Sequence, residues 1–151
     1  MCGIVGIWKL NGQELDRSSL DRFTDSLEHR GPDGRGTFVD IESNIGLGHR
    51  RLSILDVSTA GNQPMTYGNG RYWITFNGEI YNFIELRAQL KQKGHNFLTD
   101  TDTEVVLAAY VQWGVDCQYQ FNGMWAFAIW DTEEKILFLS RDMFGVKPLF
   151  F

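Results

Sequence analysis

The sequence predicts an α+β fold built from two β-sheets with helices on their outer faces. The apolar runs at 3–10, 123–131 and 136–139 are close to continuous rather than alternating, as expected of strands covered on both sides. Segments with helical spacing fall in a mixed order: one after the first strand, then two in succession before the last strands. The 151 residues suit a single domain over 1–151, long enough to bury a sizeable core.

The elements follow from local signals. Ile4, Val5, Ile7, Trp8 and Leu10 make a first strand over 3–10, with Cys2 at its head. Ser18 with Asp21 resembles a capping box, and Leu20, Phe23 and Leu27 then recur at helical spacing. Residues 29–34 hold Gly, Pro and Asp and read as a loop. Strands are expected near 36–41 and 45–54, a polar stretch at 58–63, and a strand at 72–76. Asn77-Gly78 is a turn dipeptide. Asn82 is placed to cap a helix carrying Phe83, Leu86 and Leu90 and ending before Gly94. A third helix starts at Asp102, carries Val106, Ala109, Tyr110 and Trp113, and stops at Gly114. Strands follow from Gly123 and Ile136, separated by a turn at 132–135. Leu149-Phe150-Phe151 reads as a strand in mid-course, the pattern of a fragment of a longer chain.

Composition narrows the function classes. A net charge of −5 with no Lys/Arg-rich run gives no footprint for nucleic acid. No stretch approaches the roughly 20 apolar residues of a membrane span. Two cysteines, Cys2 and Cys117, make no disulfide framework, and the opening residues lack the basic region of a signal peptide, so a reduced, cytoplasmic protein is expected. No Cys/His spacing indicates zinc, and no GxGxxG or Walker pattern indicates a nucleotide.

The chemistry centres on the start, Met1-Cys2-Gly3. Loss of Met1 leaves Cys2 with both a thiol and a free α-amine. The amine has a reference pKa of about 7.7–8.0, so part of it is neutral near physiological pH and can serve as the thiol's general base. The alternative is a buried cysteine opening a strand. Arg50 and Arg51 interrupt an apolar strand, where one guanidinium can hold a carboxylate or both can face solvent. Asn77 and the Gly78 N–H can stabilise an oxyanion or simply make a turn. Asp102 can bind an ammonium group or cap its helix. The loop around Arg30 can fold over the strand end that holds Cys2. His29, His49 and His95 lie in no local signature of a Cys-His hydrolase.

Taken in order, Met1-Cys2-Gly3-Ile4-Val5-Gly6, the loop 29–34 (His-Arg-Gly-Pro-Asp-Gly), the strand 51–56 (Arg-Leu-Ser-Ile-Leu-Asp), the segment 76–82 (Phe-Asn-Gly-Glu-Ile-Tyr-Asn), the helix start 101–104 (Thr-Asp-Thr-Glu), 123–128 and 140–149 resemble the glutaminase domain of glutamine-hydrolysing asparagine synthetases, a class II glutamine amidotransferase. The resemblance implies the four-layer αββα fold of N-terminal-nucleophile hydrolases and hydrolysis of glutamine to glutamate and ammonia. It implies Cys2 as nucleophile and Asn77 with Gly78 as oxyanion hole. It also implies Arg51 rather than Arg50 on the substrate α-carboxylate and Asp102 on its α-amino group, with Leu52, Ile54 and Glu79 lining the pocket. Cys117 matches no catalytic position and reads as a core residue. The resemblance further implies a C-terminal synthetase domain as ammonia acceptor, with ATP and magnesium used there and no cofactor in this chain, and it leaves a homodimer open. Two alternatives are a non-catalytic module of the same fold and the glutaminase half of an amidotransferase acting on another acid.

Overall fold

The computed structural model describes residues 1–53 and 59–151. Among these residues seven strands form two antiparallel sheets. The first sheet has the order β1 (Gly3–Trp8), β3 (Ile45–Arg51), β2 (Gly34–Asp40). The second has the order β4 (Met65–Tyr67), β5 (Tyr72–Ile80), β6 (Gly123–Asp131), β7 (Ile136–Arg141). Helix α1 (Arg17–Asp25) packs on the first sheet, while α2 (Phe83–Gln92) and α3 (Asp102–Trp113) cover the second. The sheets face each other, so the layers run helix, sheet, sheet, helices.

Side-chain alternation along the strands builds this sandwich. In β6, Trp125, Phe127 and Ile129 join Ile74, Phe76 and Ile80 of β5 beneath the helices, where they meet Leu86, Leu90, Val106 and the fully buried Cys117. Burial pushes the Cys117 thiol up to about 12, as for an inert core residue. On the opposite face, Ala128 and Trp130 meet Ile45 and Leu47 of the first sheet. Trp73 stacks on Phe38 at 4.0 Å between ring centroids, and the Trp130 indole N–H donates across the sheets to Asp40 Oδ2 at 3.0 Å. The other face of β3 carries small residues under α1. A Cβ at Gly48 would lie 2.1 Å from Thr24 Oγ1, so Gly48→Ala must push α1 off its sheet. Overpacking of this kind costs about 1–3 kcal/mol, and calorimetry should show a Tm lowered by roughly 3–10 °C.

Several boundaries differ from the sequence expectations, each for a local physical reason. The first strand ends at Trp8, and α1 is capped by Asp16, whose carboxylate accepts from the Ser18 and Ser19 N–H groups, so Ser18 is not the cap. Asn82 makes no capping bond; its amide instead bridges Gln120 O and Asn122 N. The cap of α3 is Thr101, not Asp102. Residues 148–151 form no strand. The expected strand over 45–54 ends at Arg51, and 54–58 lie outside the described residues.

The largest difference is at Asn77-Gly78, which continues β5 rather than turning. Asn77 pairs with Ala126 and Gly78 with Trp125, so a partner strand overrides the local preference. Gly78 does not adopt a positive φ; it is small because a Cβ there would lie 2.3 Å from Met124 O. The turn chemistry is spent one segment earlier. Gly68, Asn69 and Gly70, all at positive φ, close the hairpin from the short strand β4, an element absent from the sequence reading, into β5. Among the described residues no helix is long and apolar enough to cross a membrane.

Candidate active site

The register of the first sheet assembles half of the site. Gly3 of β1 pairs with Arg50 and Gly34 of β2 pairs with Arg51, which sets Cys2 level with Arg51 at one end of the sheet. Alternation then separates the two arginines. Arg50 points to the α1 side, where its Nε donates to Gly31 O at 3.2 Å and its guanidinium pairs with Glu28 at 3.1 Å and Asp25 at 3.5 Å. Arg51 points between the sheets, packs on the Gly61 backbone and donates to Asn62 Oδ1 at 3.1 Å. Both are buried, so the solvent-facing alternative does not hold for either. The Cys2 thiol lies against the Leu52 peptide, 3.4 Å from its N and 3.7 Å from its O. Arg30 donates to Cys2 O at 3.2 Å, so the loop at 29–34 does fold over the strand end.

The second sheet supplies the facing wall. Strand β4 covers β5 only from Tyr72 to Ile74, and beyond it the edge of β5 that faces away from β6 is held by side chains. Phe76 N–H donates to Gln63 Oε1 at 2.6 Å, and Phe76 O meets His49 Nε2 at 3.1 Å. Ile80 N–H donates to Asp102 Oδ2 at 3.0 Å. Alternation puts the Gly78 N–H on this same edge, directed into the cleft. Burial pushes His49 down to about 4, so its imidazole is neutral at physiological pH and serves to hold the Phe76 peptide.

Asp102 occupies the first residue of α3 with its carboxylate in the cleft. A helix N-terminus favours a carboxylate, yet burial dominates and, with the nearby Glu79 charge, pushes Asp102 up to about 6 despite the hydrogen bond from Ile80. A buried carboxylate that is costly to ionise is prepared to receive a cation. This carboxyl titrates above its unfolded value of 3.8, so its contribution to stability is present below about pH 4 and is lost as pH rises through about 6. Asp102→Asn keeps an acceptor for Ile80 and removes the charge. A thermal melt at pH 7 should therefore show an unchanged or higher Tm for the variant.

One cleft gathers Cys2, Arg51, Leu52, Gly78, Glu79 and Asp102, together with Gly61, Gln63, Phe76, Thr101 and Thr103. Asn77 is not in its wall. It is buried on the face of β5 that also carries Trp73 and Thr75, toward the sheet that holds Cys2. Ile54 lies outside the described residues. Gln63 and Thr103 escaped the sequence reading because Gln63 sits in a stretch whose Thr, Gly and Asn read as loop, and Thr103 stands beside acidic residues that explain a helix start unaided.

Chemically, the cleft offers a thiol, a cation, an anion and the Gly78 backbone N–H. A family profile described as a glutamine amidotransferase domain matches residues 1–151. This chain belongs to that family. Among its relatives, glutamine-hydrolysing asparagine synthetase 1 of Bacillus subtilis (strain 168) is 46% identical over the whole chain, and asparagine synthetase 3 of the same organism is 42% identical. The chain spans about a quarter of the length of these relatives, 24% and 25% respectively. Among solved structures, the glutamine phosphoribosylpyrophosphate amidotransferase of B. subtilis superposes with a TM-score of 0.75 at 21% identity, over 97% of this chain and 38% of that one. An allosteric regulatory enzyme of purine biosynthesis superposes with a TM-score of 0.71 over 92% of this chain and 37% of that one. The chain thus shares the fold of these enzymes, a sandwich layered helix, sheet, sheet, helices.

Proposed function

We propose that this chain hydrolyses glutamine to glutamate and ammonia, with Cys2 as nucleophile, and delivers the ammonia to a synthetase domain that uses it to amidate aspartate. The observation that carries the reading is the cleft itself, whose lining brings Cys2 together with a cation, Arg51, an anion, Asp102, and the Gly78 edge. Arg51 holds the α-carboxylate of glutamine and Asp102 its α-ammonium, fixing both charges of the amino acid so that the side-chain amide reaches the thiol. Leu52 and Glu79 line the pocket, as does Ile54 by resemblance.

Removal of Met1 frees the α-amine of Cys2. The neutral amine takes the thiol proton, the thiolate attacks the γ-carbonyl, and the tetrahedral oxyanion is met by the Gly78 N–H. The Asn77 amide, outside the cleft lining but facing the sheet that holds Cys2, is the second donor the resemblance implies. The ammonium of Cys2 then protonates the departing nitrogen, the carbon–nitrogen bond breaks, and ammonia leaves. Water, deprotonated by the same amine, hydrolyses the γ-glutamyl thioester and restores the thiol. The aspartate acceptor is supported by the names of the relatives at 46% and 42% identity; ATP and magnesium are what the resemblance implies for that synthetase half.

Two experiments test this. Intact mass spectrometry of active protein should show a chain beginning at Cys2, consistent with a Met1 that is 56% exposed and followed by a small residue; activity with Met1 retained would overturn the amine as base. Glutamine hydrolysis followed against pH should lose kcat/KM on the acid side as the Cys2 amine is protonated and then, at lower pH, through a second limb with an apparent pKa near 6 that belongs to Asp102 in the free enzyme. Asp102→Asn should abolish that limb and raise KM for glutamine by roughly 30-fold or more, on the scale of a lost charge-assisted bond. An unaltered second limb in the variant would assign the titration elsewhere.

A further inference from the structure

We propose that Gln63 is a positioning residue for the oxyanion-binding edge of β5, and that it couples this edge to the helix that carries Asp102. The proposal rests on glutamine hydrolysis at this cleft. Gln63 is 8% exposed, precedes β4, and reaches the cleft with its amide. Its Oε1 accepts the Phe76 N–H at 2.6 Å, and its Nε2 donates to Thr103 Oγ1 at 3.3 Å.

The position of that amide gives it its role. Strand β4 stops pairing at Ile74, so among the described residues no strand lies beside the edge of β5 that faces away from β6 from Phe76 onward. The Gln63 side-chain amide takes the place of the missing strand at Phe76, while His49 Nε2 holds the Phe76 carbonyl. Four residues on, Asp102 holds the Ile80 N–H. Gly78 lies midway on the same edge, with pinned groups on both sides and its own N–H directed into the cleft. Pairing with β6 fixes the Gly78 peptide from the opposite edge, so what the flanking bonds set is where this open edge lies against the first turn of α3. Because Thr103 adjoins Asp102, Gln63 and Asp102 tie the same strand to the first turn of α3 at two points. The distance between the oxyanion donor and the ammonium-binding carboxylate is then fixed by side chains.

A purely structural amide would stabilise the fold without favouring one state of the substrate over another, and that difference can be measured. The probes are L-glutamate γ-semialdehyde, whose aldehyde carbon adds the Cys2 thiol to give a tetrahedral hemithioacetal needing the oxyanion donors, and glutamate, which fills the cleft without them. In the protein carrying this chain, Gln63→Met should lower kcat for glutamine and weaken semialdehyde inhibition together by about 10- to 100-fold, somewhat less than outright loss of an oxyanion donor. KM and the Kd for glutamate should stay within about threefold. Thr103→Val removes only the far anchor of the amide and leaves the Phe76 bond, so it should shift the same two quantities by about 3- to 10-fold. This second variant decides the matter if Gln63→Met does not fold. Unchanged kcat and inhibition in Thr103→Val, or equal weakening of semialdehyde and glutamate in either variant, would overturn the proposal. A wild-type protein that neither hydrolyses glutamine nor binds the semialdehyde would overturn the glutaminase reading beneath it.

Discussion

Replacing Cys2 with alanine should reduce glutamine hydrolysis by at least about 10⁴-fold, the scale on which covalent hydrolases lose turnover without their nucleophile. The thiol is partly buried and its hydrogen-bond contacts among the described residues are with the Leu52 peptide, so the substitution leaves no buried charge. Folding should therefore survive, with a Tm close to that of the wild type. The diagnostic comparison is between nitrogen donors in a protein that also carries the synthetase half. Formation of the amidated product from ammonium salts should persist in Cys2→Ala while formation from glutamine disappears, since ammonia bypasses the thiol. Equal loss with both donors would show that the substitution acts through structure or that the two half-reactions share one site.

The second large effect separates two adjacent arginines. Arg51→Ala should lower kcat/KM for glutamine by roughly 30- to 1,000-fold, from about 2–4 kcal/mol of lost charge-assisted contact and an unpaired carboxylate, at 1.36 kcal/mol per decade. Arg50→Ala should change kcat/KM by no more than about threefold, because its guanidinium faces Gly31, Asp25 and Glu28 on the α1 side of the sheet. Its cost should appear instead as a lower Tm, since the Gly31 carbonyl loses its donor and the loop carrying Arg30 loses an anchor. Steady-state glutaminase kinetics on both variants provide the check. An Arg50 effect as large as that of Arg51 would contradict the register in which Gly3 faces Arg50.

Legibility in the sequence followed the range of the forces involved. The covered strands were readable because burial on both faces demands continuous apolar runs, as in the 123–131 segment that became β6. Cys2 stands out locally as a thiol at the chain start, but local signals mark Arg50 and Arg51 alike as cations in an apolar strand and explain Asp102 by capping; only the resemblance singles out Arg51 and Asp102. Asn69-Gly70 and Asn77-Gly78 show where local reading stops. The dipeptides are identical, yet the first closes a hairpin at positive φ and the second lies straight in β5, and only the presence of β6 across from it decides. Gln63 and His49 were illegible as site residues for a related reason. Their partners are backbone groups of Phe76, 13 and 27 residues away, and no pattern within either segment encodes such a bond.

The central claim is that the first residue of the mature chain carries the acyl group. Protein incubated with glutamine, quenched in acid and analysed by intact mass spectrometry with peptide mapping tests it most directly. A chain lacking Met1, with a γ-glutamyl group on Cys2 that is released by hydroxylamine, is the expected result. Hydrolysis of glutamine that proceeds with the Cys2 thiol blocked, or with the γ-glutamyl group on any other residue, would contradict it.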